Sequence, residues 1–246
     1  MKRRSACFRE LAMGVLGVLL GMFCVGVAGA RELVEGGDMG NLDAIGIMQR
    51  IPAGATREMA DENSSFKEVF PDNGKSLKVG TDGPIFVKML ELPLVGATGK
   101  LKWSFDFKSL DVLNENGKIN TGIAVALMSG KEYVARVVFG EGMALHGPRK
   151  TKEPRTWEIK KEALSKGVWY HFVCEVDLTN RLLRGSVTSE MGDQFDFEEA
   201  ELPPSESGEP FVECDTFQVR TANGTNNIAL PALLDNLSLQ TEEEAR

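Results

Sequence analysis

From Phe66 onward, apolar side chains recur on every second residue in short runs. The clearest run is Lys102-Trp103-Ser104-Phe105-Asp106-Phe107-Lys108. Trp103, Phe105 and Phe107 share one side of it, and Lys102, Ser104, Asp106 and Lys108 share the other. Successive side chains of an extended chain point to opposite faces, so this run predicts a half-buried antiparallel strand. Runs bounded by Gly, Pro, Asn or Asp predict further strands at Ser76–Val79, Ile85–Glu91, Thr121–Met128, Glu132–Phe139, Met143–His146 and Thr156–Ile159. The rest of the set is Val168–Asp177, Arg181–Thr188, Gln194–Glu198, Phe211–Thr221 and Ile228–Leu239. Ser129-Gly130-Lys131 and Leu178-Thr179-Asn180 read as hairpin turns, and Lys161–Ser165 as one helical turn. Leu202–Pro210 (LPPSESGEP) reads as a surface loop between strands. Long amphipathic helices do not alternate with the strands, which disfavours an α/β fold. The expectation is an all-β protein of about twelve strands in two packed antiparallel sheets.

The first thirty residues have a different pattern. Lys2, Arg3 and Arg4 precede an uncharged run from Leu11 to Ala28, which closes on Ala28-Gly29-Ala30 before Arg31-Glu32. This is the layout of a secretory signal peptide at 1–30. The rival is a retained anchor, but the apolar run is only marginally long enough to span a bilayer and is broken by Gly14, Gly17, Gly21 and Gly26. Cleavage and export to a periplasmic, cell-surface or extracellular location are therefore expected, with no stable membrane insertion afterwards. The domain plan is the signal at 1–30, a loosely ordered lead-in at 31–65 with one short strand near Ile45–Ile51, a sandwich at 66–240, and a frayed tail at 241–246.

The whole chain carries a net charge of −8, and the segment 1–30 holds four basic residues and one acidic one. Its removal leaves −11 on the remaining 216 of 246 residues. Such a surface repels nucleic acid and anionic lipid. Outside the signal the cysteines are Cys174 and Cys214. In an oxidising compartment they can form a disulfide; in apolar strands they can equally remain two buried thiols.

Three segments carry a family resemblance. Gly167-Val168-Trp169-Tyr170-His171-Phe172-Val173, followed by Glu175-Val176-Asp177, resembles a strand of the laminin-G-like and concanavalin A-like lectin/glucanase group. Gly74-Lys75-Ser76-Leu77-Lys78-Val79 is similar to an early strand of that group, and Leu234-Asp235-Asn236-Leu237-Ser238-Leu239 to its final strand, which returns beside the first. Leu182–Val187 departs from the pattern, because it lacks the usual Asp-Gly turn after it. The resemblance implies a jelly roll, usually a module that binds a glycan or protein and sometimes a glycosidase.

Sugar binding uses exposed aromatic rings with polar groups beside them, and the candidates are Trp157, Tyr133 and Trp169. Trp157 stands out because Lys150–Arg155 before it reads as a polar loop. A retaining glycosidase needs two carboxylates about 5 Å apart. The nearest pair is Asp196 and Glu198 in Asp193-Gln194-Phe195-Asp196-Phe197-Glu198, where Gln194 stands in place of a further carboxylate. No catalytic set is complete. His146 reads as part of a turn and His171 as a packed strand residue, and no G-x-S-x-G elbow accompanies them. Ca²⁺ is the one ion the composition suggests, with Asp72, Asp82 and Asp235 as donors, although Asx turns account for the same residues. The leading expectation is an exported non-catalytic domain that recognises a polysaccharide or cell-surface glycan. The alternatives are a polysaccharide-acting glycoside hydrolase and a structural or adhesive envelope protein that binds another protein.

Overall fold

A computed structural model describes residues 30–36, 55–62, 64–66, 76–81, 88–110, 123–139, 143–150, 153–160, 165–221 and 231–242. These residues form fourteen strands and no helix. They are β1 (Ala30–Gly36), β2 (Ala55–Ala60), β3 (Ser76–Thr81), β4 (Lys88–Thr98), β5 (Lys100–Ser109), β6 (Ile123–Ser129) and β7 (Glu132–Phe139). Then come β8 (Met143–Lys150), β9 (Glu153–Lys160), β10 (Trp169–Asp177), β11 (Leu182–Ser189), β12 (Gln194–Glu201), β13 (Glu213–Thr221) and β14 (Ala232–Glu242).

The strands build two antiparallel sheets packed as a jelly-roll sandwich. The larger has the order β12-β11-β10-β5-β14-β3-β2, with β1 also paired to β14. The smaller has the order β4-β13-β6-β7-β8-β9. The final strand β14 lies between β5 on one side and β3 and β1 on the other, so the first and last strands of the described residues meet in one sheet.

Alternation explains the core. Trp103, Phe105 and Phe107 of β5 and Phe172 of β10 point inward and meet one another ring to ring. Phe139 of the smaller sheet stacks on Phe107 at 4.4 Å between centroids. Ile123, Val125 and Leu127 of β6 and Phe217 and Val219 of β13 supply the facing layer. Gly185 on β11 is forced by this packing, because a Cβ there would fall 2.1 Å from the Val173 carbonyl oxygen and 2.4 Å from the Phe197 ring.

Several boundaries differ from expectation. The segment 31–65 contributes β1 and β2, which raises the strand number above twelve. Both are short strands on the flank of the larger sheet, where few apolar residues are needed. The strand near Ile45–Ile51 and most of the helical turn at Lys161–Ser165 lie outside the described residues. Thr241 and Glu242 are not tail but the end of β14, paired with Leu101 and Lys100. In the polar stretch before Trp157, Lys150 and Glu153–Arg155 are strand residues and not loop, with Lys150 of β8 paired to Glu153 of β9.

Candidate functional site

Each sheet has an outer face with buried polar groups. On the larger sheet, His171 of β10, Asp106 of β5 and Asp235 of β14 occupy one cross-strand row. Asp106 is on the face that alternation assigns to solvent, yet it is fully buried. The segment that bonds to this row is residues 61–62 and 64–66. Ser64 N–H donates to Asp235 Oδ2 at 2.8 Å, and the Phe66 ring sits 5.5 Å from the His171 ring. Asp106 Oδ1 accepts from His171 Nδ1 at 2.5 Å, and its Oδ2 accepts from Asn236 Nδ2, also at 2.5 Å. Asn236 Nδ2 also reaches the Phe66 carbonyl at 2.9 Å. Asn236 has φ +47°, a left-handed conformation that Asn tolerates, at a bulge between Asp235 and Ser238. The result is a hydrogen-bonded clasp that pins the segment to the sheet. Glu62 on Lys108 and Ser65 on Glu190 extend it, both through side-chain contacts.

The outer face of the smaller sheet is built differently. Its middle strand β6 presents Ala124, Ala126 and Met128 outward, since Ile123, Val125 and Leu127 face the core. All three outward residues are buried all the same. On one side β13 offers Gln218 and Arg220; on the other β7 offers Tyr133 and Arg136.

Bulges create this grouping. Leu127 pairs with Ala135 but Met128 pairs with Tyr133, so Val134 is an extra residue and Tyr133 and Arg136 share a face. The same occurs on β4, where Val219 pairs with Leu90 but Arg220 with Lys88, which brings Lys88 and Glu91 to one face around Met89.

Arg220 Nη1 donates to the Tyr133 hydroxyl. These residues are two strands apart, roughly 10 Å in the sheet, so the bond passes over β6. Only small residues beneath permit it, and Ala124 and Ala126 are those residues. The guanidinium carbons of Arg136 and Arg220 lie 4.7 and 5.3 Å from the Tyr133 ring centroid, within cation–π range. Burial, and then the like charge of Arg136, hold the Arg220 pKa below its ordinary value against the opposing pull of Tyr133 and Glu91. Gln218 is 5% exposed, and its Nε2 donates to Glu91 Oε2 at 2.8 Å. Lys88 donates to the same Glu91 oxygen. The other end of the amide, Gln218 Oε1, is buried with no hydrogen-bond partner.

The sequence candidates are distributed as follows. Tyr133 belongs to this face, but its ring is engaged by two cations rather than open for stacking on a sugar. Trp169 is 2% exposed, with Lys108 Nζ 5.6 Å from its ring centroid, so it is a packed residue; it begins β10 and its ring is covered there. Trp157 pairs with Leu145 on β9, and its side chain lies outside the described residues, as do those of Glu198 and His146. Asp196 is exposed on the edge strand β12 and bonds Gln194 Nε2 at 2.8 Å. Asp235 is not an open cation ligand, because its two oxygens take the N–H groups of Ser64 and Asn236. Asp72 and Asp82 lie outside the described residues, and among the described residues no group of three or more His, Cys, Asp or Glu could hold a metal. Cys174 and Cys214 are free thiols, one on β10 and the other on β13 in opposite sheets, and burial raises the pKa of both. Arg136, Gln218 and Arg220 were not singled out by the sequence.

Fold and site together define an antiparallel two-sheet jelly roll with a basic and aromatic cluster on one outer face. Among solved structures, the chain is similar to the catalytic domain of a glycoside hydrolase family 131 protein from Coprinopsis cinerea, at 12% identity over 88% of this chain and 84% of that one, with a TM-score of 0.45. It is similar to alginate lyase A1-II′, a member of polysaccharide lyase family 7, at 13% identity over 73% and 86% with a TM-score of 0.44. It is also similar to peanut lectin, at 11% identity over 77% and 98% with a TM-score of 0.39. No family model matches the sequence, and no curated protein matches it. Among the described residues no helix is long and apolar enough to cross a membrane.

Proposed function

We propose that this chain is an exported, non-catalytic binding domain whose ligand is a glycan, held on the outer face of the smaller sheet. One observation carries the reading: Gln218 Oε1 is a buried acceptor without a partner, on a face that also gathers a tyrosine and two guanidiniums. Buried acceptors in folded proteins are almost always satisfied. A hydroxyl-rich ligand would supply the missing donor. The likeness of Gly167–Asp177 to the lectin/glucanase group supports the reading, as does the export signal at 1–30. The carboxylate pair Asp196 and Glu198 plays no part in it.

A glycan array probed with the full chain tests it. Retention of at least one class of glycan, weakened about tenfold or more in Gln218→Leu, is the expected result, since an unmet hydrogen bond at a polar site costs on that scale. Failure to retain any glycan would overturn it and leave a protein partner as the reading to pursue.

A further inference from the structure

Gln218 Oε1 has a neighbouring acceptor on this face, and together the two narrow the ligand. Resting on the reading above, we propose that the glycan is recognised as an uncharged sugar through two hydroxyls on adjacent ring carbons, one donating to Gln218 Oε1 and the other to Glu91 Oε1.

Gln218 of β13 and Glu91 of β4 stand directly opposite each other. Residues so placed in an antiparallel pair have Cβ atoms about 5 Å apart. Their side chains are joined by the bond from Gln218 Nε2 to Glu91 Oε2, and Lys88 Nζ donates to that same oxygen. Both bonds fall on Oε2, so Glu91 Oε1 takes no hydrogen bond among the described residues. An amide oxygen accepts and does not donate, and the same holds for an ionised carboxylate. The two positions therefore ask for donors. Glu91 is the outer one, with its side chain 29% exposed, and Gln218 is the inner one. The neighbour of Gln218 on β6 is Ala126, which brings only a methyl group to that side.

The charges on this face argue for a neutral partner. Arg220 donates to the Tyr133 hydroxyl, and the charge of Glu91 favours its guanidinium. Arg136 lies over the same tyrosine ring, and Lys88 is paired with Glu91. These cations are engaged within the protein, so no anion is called for. A cationic donor, such as the ammonium of an amino sugar, would meet Lys88 on the carboxylate it needs. Neutral donors remain, and on a sugar these are hydroxyls. A single hydroxyl would leave one acceptor unmet. Hydroxyls on adjacent ring carbons are held close together by the ring, so they can serve two neighbouring acceptors with little further loss of freedom.

The test uses the full chain and four probes: dextran, dextran oxidised with periodate and reduced with borohydride, a linear 1,3-linked glucan, and polygalacturonate. Dextran carries adjacent hydroxyls along its chain. Periodate cuts between them, and the internal residues of a 1,3-linked glucan have none. Affinity electrophoresis reads each probe. The expected result is binding of dextran, with the oxidised form and the 1,3-linked glucan at least about tenfold weaker, because a site built for a hydroxyl rejects a ligand that cannot supply it. Polygalacturonate should bind no more tightly than dextran. Glu91→Gln keeps the size but puts a donor where an acceptor was. It should weaken dextran about tenfold and erase its advantage over the 1,3-linked glucan, with little change in the thermal melt, since partly exposed ion pairs contribute little. A merely structural Glu91 would leave that preference in place. Equal binding of dextran and the 1,3-linked glucan, or polygalacturonate bound tenfold or more tightly than dextran, overturns the assignment and leaves the glycan reading intact. The same holds if none of the four binds while the array retains some other glycan. No binding to any probe together with an empty array removes both readings. Should Glu91→Gln fail to fold, the comparison of dextran with its oxidised form and with the 1,3-linked glucan still decides.

Discussion

On the larger sheet, Asp106, Asp235, Asn236 and His171 form one cluster tied to Ser64 and Phe66, and each carboxylate oxygen meets a donor of the protein. On the smaller sheet, Tyr133, Arg136, Gln218 and Arg220 gather over alanines, and one buried acceptor meets nothing. Both clusters are polar, outward-facing and largely withdrawn from water. The first is closed by the chain itself, so its groups act as a fastener. The second leaves one buried acceptor, Gln218 Oε1, without a partner, where buried acceptors are almost always satisfied. The contrast teaches that burial of a polar group does not by itself mark function; what matters is whether the protein completes its bonding.

The largest effect should come from the fastener. Asp106→Ala removes the acceptor of both His171 Nδ1 and Asn236 Nδ2 inside a fully buried site. A loss of about 3 kcal/mol is expected, as for breaking other buried charged networks. Chemical denaturation measures it. Amide exchange at Ser64 should also accelerate, because its partner Asp235 sits in the same row. The folded variant should still bind glycan as the parent does. If its affinity falls while the melt of the remaining fold is unchanged, the two faces are coupled and the contrast is wrong.

The alanine floor gives the complementary experiment. Ala126→Leu places a branched side chain between Gln218 and Arg136, at a position that is fully buried. Overpacking should cost about 1–3 kcal/mol, less than the loss at Asp106. Glycan binding should disappear, since the leucine fills the space over which Tyr133 and Arg220 meet. Stability from thermal melts and affinity from the array together check this. A variant that binds normally would show that the floor is not part of the site.

Much of the frame was legible in the residues. Alternation in Lys102–Lys108 correctly separated Trp103, Phe105 and Phe107 from their polar neighbours. It could not distinguish Asp106 from Lys102, because the partners that hold Asp106, His171 and Asn236, come from strands far away in sequence. The site was hidden for a related reason. Tyr133 and Arg136 are three apart, a spacing that puts them on opposite faces of a regular strand; the extra residue Val134 reverses this. Lys88 and Glu91 are hidden in the same way by Met89. Gln218 and Arg220 do keep period two, but their meaning depends on Ala124 and Ala126 of the neighbouring strand. Aromatic residues drew attention to Trp169, whereas its packing against Lys108 is a fact of the β5–β10 register.

The smallest effect is expected where the larger sheet has ordinary outward charges with no covering segment. Glu175 on β10 accepts from Arg184 Nε at 2.6 Å, and Lys100 Nζ lies 3.5 Å from it. Burial pushes its carboxyl pKa up, but the hydrogen bond from Arg184 and the charges of Lys100 and Arg184 outweigh this and hold it below its ordinary value. A carboxyl depressed in the folded state stabilises above its unfolded pKa, about 4.3 for Glu. That contribution is lost as pH falls through the lower folded value. Glu175→Gln should therefore cost no more than about 1 kcal/mol at neutral pH, as partly exposed ion pairs do. The gap between variant and parent should close in strong acid, where both side chains are neutral. Denaturation midpoints at pH 7 and pH 2 compare them. A gap that persists at pH 2 would mean that Glu175 acts through packing, and that the open part of this face resembles its covered part more than its bonding suggests.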